Sequence, residues 1–139
     1  IQSYGDDVVL GVNSVLASSG AGAAGNVTFG KTVTGAFNLT VNTAGTTAVD
    51  GVVAVGTVTT DAPGSTAINS GNVTTTGAQI YHDAVSLGAD TQSNTTTVAF
   101  GAALNSVGVA RMTSPPISRN TLSSTPPSVS STALRRFSS

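Results

Sequence analysis

Threonine is the residue whose placement comes nearest to a functional pattern in this chain. It clusters at Thr46-Thr47, Thr59-Thr60, Thr74-Thr75-Thr76 and Thr95-Thr96-Thr97. Threonines held in register on one flat β face would present a regular array of hydroxyls and methyls, suited to ordering water as ice or to lying along a polysaccharide. The candidate ligand face is Thr47, Thr59, Thr66, Thr75 and Thr96. The same clusters suit a plainer role, because threonine is a good exposed strand residue that bonds its counterpart on the next strand.

Other reactive side chains are sparse. His82, the one histidine, precedes Asp83, and a neighbouring carboxylate can tune an imidazole as a general base. Adjacent strand residues point to opposite faces, so the pair reads as a surface histidine at a turn. No Gly-x-Ser-x-Gly elbow is present. Glycoside cleavage needs two carboxyl groups about 5 to 9.5 Å apart in one cleft. Here Asp50 and Asp61 fall in turns, Asp83 and Asp90 stand alone, and every Arg lies beyond residue 110. A carbohydrate-active enzyme is thus a remote alternative. With one His, no Cys and no calcium-binding Gly/Asp nonapeptide, the expectation is no catalytic group, no cofactor and no metal site. The Asn-x-Thr triplets at Asn26, Asn38, Asn72 and Asn94 match a glycosylation acceptor, but Asn is equally at home at solenoid corners, where it can ladder with its neighbours.

Strands, not helices, must position these groups. Only 8% of the 139 residues are charged, against roughly 25% in ordinary soluble domains, and all six acids are Asp. Val, Ala, Thr, Ser, Gly and Asn dominate, and they favour strands and turns. A hydrophobic fraction of 39% suffices for a core, and with 4% aromatic residues that core must be narrow and layered. Residues 1–110 carry all six Asp and one cation, Lys31, which argues against a nucleic-acid partner. No apolar run reaches the roughly 18 residues of a membrane span.

The chain repeats itself. Residues 39–50 (LTVNTAGTTAVD) align without gaps on 58–69 (VTTDAPGSTAIN), a shift of 19 that puts Gly45 on Gly64, Thr47 on Thr66, Val49 on Ile68 and Asp50 on Asn69. The same shift relates Asp7–Gly11 to Asn26–Gly30, Val98–Gly101 reads as a third copy, and Gly25-Asn26-Val27-Thr28 returns as Gly71-Asn72-Val73-Thr74. Apolar residues alternate at Val27 and Phe29, at Phe37, Leu39 and Val41, at Val53 and Val55, at Val85 and Leu87, and at Val98 and Phe100. That is strand periodicity with one buried face. Turn residues interrupt it at Asn42–Gly45, Asp61–Gly64 and Gly88–Asp90.

Short strands and a repeat near 19 residues predict an all-β parallel β-helix (β-solenoid) over residues 1–110, in about five or six coils. The alternative is an antiparallel β-sandwich, whose strands recur about every 8 to 12 residues. Residues 111–139 hold four Arg, no acid and two Pro-Pro pairs, and read as an extended or disordered Ser/Pro/Arg-rich tail, or as text from a changed reading frame.

The phrases GNVTFG at 25–30, LTVNTAG at 39–45, VTTDAPGSTAIN at 58–69 and VTTTGAQIY at 73–81, continuing to LGADT at 87–91, resemble repeat text of filamentous-haemagglutinin-like bacterial surface adhesins. These are exported by two-partner secretion or as autotransporter passengers. The likeness spans about residues 5–108 and leaves the tail outside it. It implies a right-handed parallel β-helix, secreted or on the cell surface, serving as a rigid stalk or filament segment and not as an enzyme. Open solenoid ends add an expectation of end-to-end association with further copies. A host-cell or extracellular polysaccharide surface is the other expected partner.

Overall fold

The structure, a computed structural model, describes residues 1–106 and 110–113. Its first coil holds β1 (Gln2–Tyr4), β2 (Val8–Val9) and β3 (Ser14–Ala21), followed by a 3-10 turn at Gly22–Gly25. The second holds β4 (Val27–Phe29), β5 (Val33–Thr34) and β6 (Asn38–Ala44), and the third β7 (Thr46–Val49), β8 (Val53–Val55) and β9 (Thr57–Thr60). β10 (Ser65–Ile68), β11 (Asn72–Thr75) and β12 (Gln79–Tyr81) form the fourth, and β13 (Ala84–Leu87), β14 (Thr91–Asn94) and β15 (Val98–Phe100) the fifth. β16 (Leu104–Ser106) and β17 (Ala110–Thr113) open a sixth.

Each coil gives one strand to each of three sheets. Sheet A runs β1-β4-β7-β10-β13-β16, sheet B β2-β5-β8-β11-β14-β17, and sheet C β3-β6-β9-β12-β15. Every ladder among the described residues is parallel. The chain is therefore a parallel β-solenoid, and the antiparallel sandwich is excluded.

The gapless alignment is the physical register. Leu39 pairs with Val58, Thr47 with Thr66 and Val49 with Ile68. The second alignment is corrected by the structure: Val8 pairs with Val33 and Tyr4 with Phe29, an offset of 25 and not 19. Extra residues in the irregular end of β3 and in the 3-10 turn Gly22–Gly25 lengthen the first coil, so Asp7–Gly11 is not equivalent to Asn26–Gly30. Nor is Val98–Gly101 a third copy, since β15 lies in sheet C and β4 in sheet A.

Alternate side chains turn inward and form columns one coil apart, such as Tyr4, Phe29, Val49, Ile68 and Leu87 in sheet A. Sheet B contributes Val33, Val53 and Val73, and sheet C Leu39, Val41 and Val58, to one continuous core. The rings of Tyr4 and Phe29 stack at 5.4 Å, and those of Tyr81 and Phe100 at 5.6 Å. A cavity of about 20 Å³ remains among Phe29, Val41, Val53, Ile68, Val73 and Tyr81. Phe37 departs from the expected pattern: it precedes β6 and is 37% exposed.

Two boundaries also move. β6 continues through Ala44, so the expected Asn42–Gly45 turn shrinks to Gly45 alone. Glycine is needed there because a Cβ would stand 2.6 Å from the Asn26 amide nitrogen and the Gly22 carbonyl oxygen. At the other end, β17 pairs Ala110–Thr113 with Thr91–Asn94. The solenoid thus runs three residues past the expected boundary at 110, since ladder bonds are open to any residue with an amide proton and the first tail proline is Pro115. The rest of the predicted tail lies outside the described residues.

Candidate functional site

The expected threonine face does not form. Thr47, Thr66 and Thr75 are buried, Thr59 is half-buried and Thr96 is exposed. The reason is the two-residue period of a strand. Thr47 lies two residues before buried Val49, Thr66 two before Ile68 and Thr75 two after Val73, so each shares the inward side of its apolar neighbour. Thr59 is out of phase with buried Val58 and faces outward from sheet C, whereas Thr96 sits in the turn between β14 and β15. Thr47 and Thr66 do stack in register, but inside the core.

What the buried threonines help to build is an interior polar network. In the corner between β12 and β13, Asp83 is 4% exposed, while His82 beside it is exposed. The Asp83 carboxylate accepts hydroxyl hydrogen bonds from Thr60 at 2.8 Å and from Thr66 at 3.0 Å. Close by, Gln79 is fully buried and its Nε2 donates to the Val73 carbonyl at 3.0 Å. Its Oε1 accepts the Tyr81 hydroxyl at 3.2 Å. Burial, reinforced by the Asp83 carboxylate, raises the Tyr81 pKa and keeps that hydroxyl a donor. Thr75 closes on its own turn by donating to the Gly77 carbonyl at 2.7 Å. Thr47 Oγ1 is buried with no hydrogen-bond partner among the described residues.

Sequence reasoning passed over Asp83 and Gln79 as interior groups, although a signal was present for Gln79. Gln79 and Tyr81 share one parity in the run Gln79-Ile80-Tyr81, so placing Tyr81 in the core places Gln79 there too; Asp83 lies in the corner beyond the strand, where that rule does not reach.

Desolvation pushes the Asp83 carboxyl above its ordinary value; the Thr60 and Thr66 hydroxyls pull it partly back, and the Asp61 carboxylate pushes it up. In the folded chain Asp83 therefore takes up its proton at higher pH than in the unfolded chain, and its contribution to stability falls as pH rises between those two values. We expect the stability of the parent relative to Asp83→Asn to increase as pH is lowered from neutrality toward about 4. Urea unfolding of both proteins across that range checks this, and a difference that stays flat would contradict it. Asp7 titrates in the opposite sense, its carboxyl held below the ordinary value by the side-chain and backbone hydrogen bonds from Thr32, so its effect appears only below that window.

The outer surface carries side-chain hydrogen bonds between neighbouring coils. Asn94 Nδ2 donates to Asn72 Oδ1 at 3.3 Å and Asn69 Nδ2 to Asp50 Oδ1 at 2.8 Å, each one coil away. Asn69, in the corner after β10, takes the expected corner role, whereas Asn72 and Asn94 lie within β11 and β14. Lys31 and Asp6 pair at 3.6 Å on the surface, where such contacts contribute little. Among the described residues no three His, Cys, Asp or Glu side chains gather where a metal ion could bind. No helix among them is long and apolar enough to cross a membrane. Comparison with family models, with curated proteins and with solved structures finds no match to this chain.

Proposed function

We propose that this chain is a structural element of a secreted or cell-surface protein, a stiff adhesin-type stalk segment that works by extension and not by catalysis. The observation that carries the reading is the uninterrupted stack of three parallel sheets around one continuous core. Such a stack is quasi-one-dimensional and lengthens by adding coils. The exposure of His82 and the sealing of Asp83 inside by Thr60 and Thr66 favour a non-catalytic role.

End-to-end association of copies belongs to the same reading. β1, β2 and β3 each pair on one side only, and none contains a charged residue or a proline. Ile1, Val9, Val12 and Val15, four of the six exposed large apolar residues described, also lie in this coil. The end offers the same strand edges and half-covered core, through Tyr4, Val8 and Leu16, that each coil offers to the next. A second copy stacking there continues an interface the fold already uses.

Electron microscopy with fibre diffraction of the purified chain tests the proposal. Rods or filaments with an axial spacing of about 4.8 Å are expected. Val15→Lys on the edge strand β3 should shift sedimentation toward monomer, because a lysine on an edge strand opposes pairing. A parent that stays monomeric and gives no rods would remove the filament reading.

A further inference from the structure

We propose that the groove along the corner between sheets C and A is a binding site for an uncharged oligosaccharide. The corner is uneven here because three successive links that cross it, those after β3, β6 and β9, differ in length. After β3 the chain makes the 3-10 turn Gly22–Gly25, after β6 it passes through Gly45 alone, and after β9 it follows the turn through Asp61 and Gly64. Two longer links therefore flank a recessed one-residue corner. The resulting open groove measures about 400 Å³ and is lined by Gly22, Asn26, Ala44, Thr46, Gly64 and Ser65 among others. A volume of a few hundred Å³ is that of a small-ligand site.

The chemistry of the lining selects the ligand class. The backbone here is largely engaged: Ser65 N donates to the Gly45 carbonyl at 3.1 Å, Gly45 N to Thr43 Oγ1 at 3.0 Å and Asn26 N to the Ala23 carbonyl at 3.3 Å. A peptide strand would find few ladder partners. What remains is side-chain capacity from three successive coils. Asn26 Oδ1 accepts the Thr46 amide at 2.9 Å, which fixes the side chain, and no described residue takes its two Nδ2 protons. Thr46 Oγ1 and Ser65 Oγ lie 3.0 Å apart and share one proton, leaving the second for an outside acceptor.

No lining residue is charged, so an ionic ligand would lose hydration without meeting a counter-charge. The hydroxyls and the amide are spread over two coil steps, about 10 Å along the axis. That arrangement suits the hydroxyl groups of a neutral glycan running along the rod. With no aromatic platform in the groove, each site binds weakly, and useful affinity would come from many copies acting together.

Nuclear magnetic resonance titration of the isotopically labelled chain with cellohexaose, maltohexaose and N-acetylchitohexaose tests this. At least one of them is expected to shift, saturably, the Asn26 side-chain amide and the Thr46 and Ser65 backbone amides. Ser65→Val and Thr46→Val, each removing one hydroxyl while keeping a strand-compatible shape, should each weaken that binding about fivefold. Either variant suffices if the other unfolds, and the mapping on the parent needs neither. The proposal is overturned if none of the three sugars moves those resonances, if the shifts survive both substitutions, or if only the anionic polymer polygalacturonate binds there.

Discussion

Phe29→Ala is expected to lower the unfolding free energy by about 3 to 5 kcal/mol, the range for removing a buried aromatic ring. The ring is 1% exposed, stacks on Tyr4 and continues through Val49 and Ile68 in the inward column of sheet A. Its loss would enlarge a void, because the ring already borders the 20 Å³ cavity. Parallel ladders on both sides of β4 limit collapse into that space. Urea unfolding should show the loss as a lower midpoint at unchanged slope. A loss below about 1 kcal/mol would show that the ring does not belong to the core.

Gln79→Ala should be comparably damaging, about 3 to 5 kcal/mol, for a different reason. The side chain is fully buried and holds two groups at once, the Val73 carbonyl and the Tyr81 hydroxyl. Removing it leaves a cavity and takes the acceptor from a phenol that burial keeps protonated. Gln79→Met separates the two contributions: it restores most of the volume and none of the hydrogen bonds, so most of the loss should persist. A double-mutant cycle with Tyr81→Phe should show coupling of about 1 kcal/mol. If Gln79→Met recovers parent stability, packing and not hydrogen bonding holds this position.

Much of the architecture was legible because a solenoid repeats one local problem. The match of residues 39–50 to 58–69 gave the register, and the ladders Leu39 to Val58 and Thr47 to Thr66 reproduce it. Legibility failed where coil length changes. The offset is 19 between β7 and β10, 20 between β8 and β11, 21 between β9 and β12 and 25 between β1 and β4. A search at fixed spacing therefore matched Asp7–Gly11 to the wrong partner. The candidate face failed on parity: composition marks Thr as a surface residue, but phase with Val49 and Ile68 turns Thr47 and Thr66 inward.

By itself the sequence determined the strands and which residues share a side, because alternation and turn chemistry are local. Only the tertiary structure decided that the strands pair in parallel and which residues from different coils meet. Thr60 and Thr66 reach Asp83 across 23 and 17 residues, and Asn26, Thr46 and Ser65 line one groove from three coils. Those meetings depend on the length of every corner between them. No local pattern encodes that sum; it exists only once the coils are stacked.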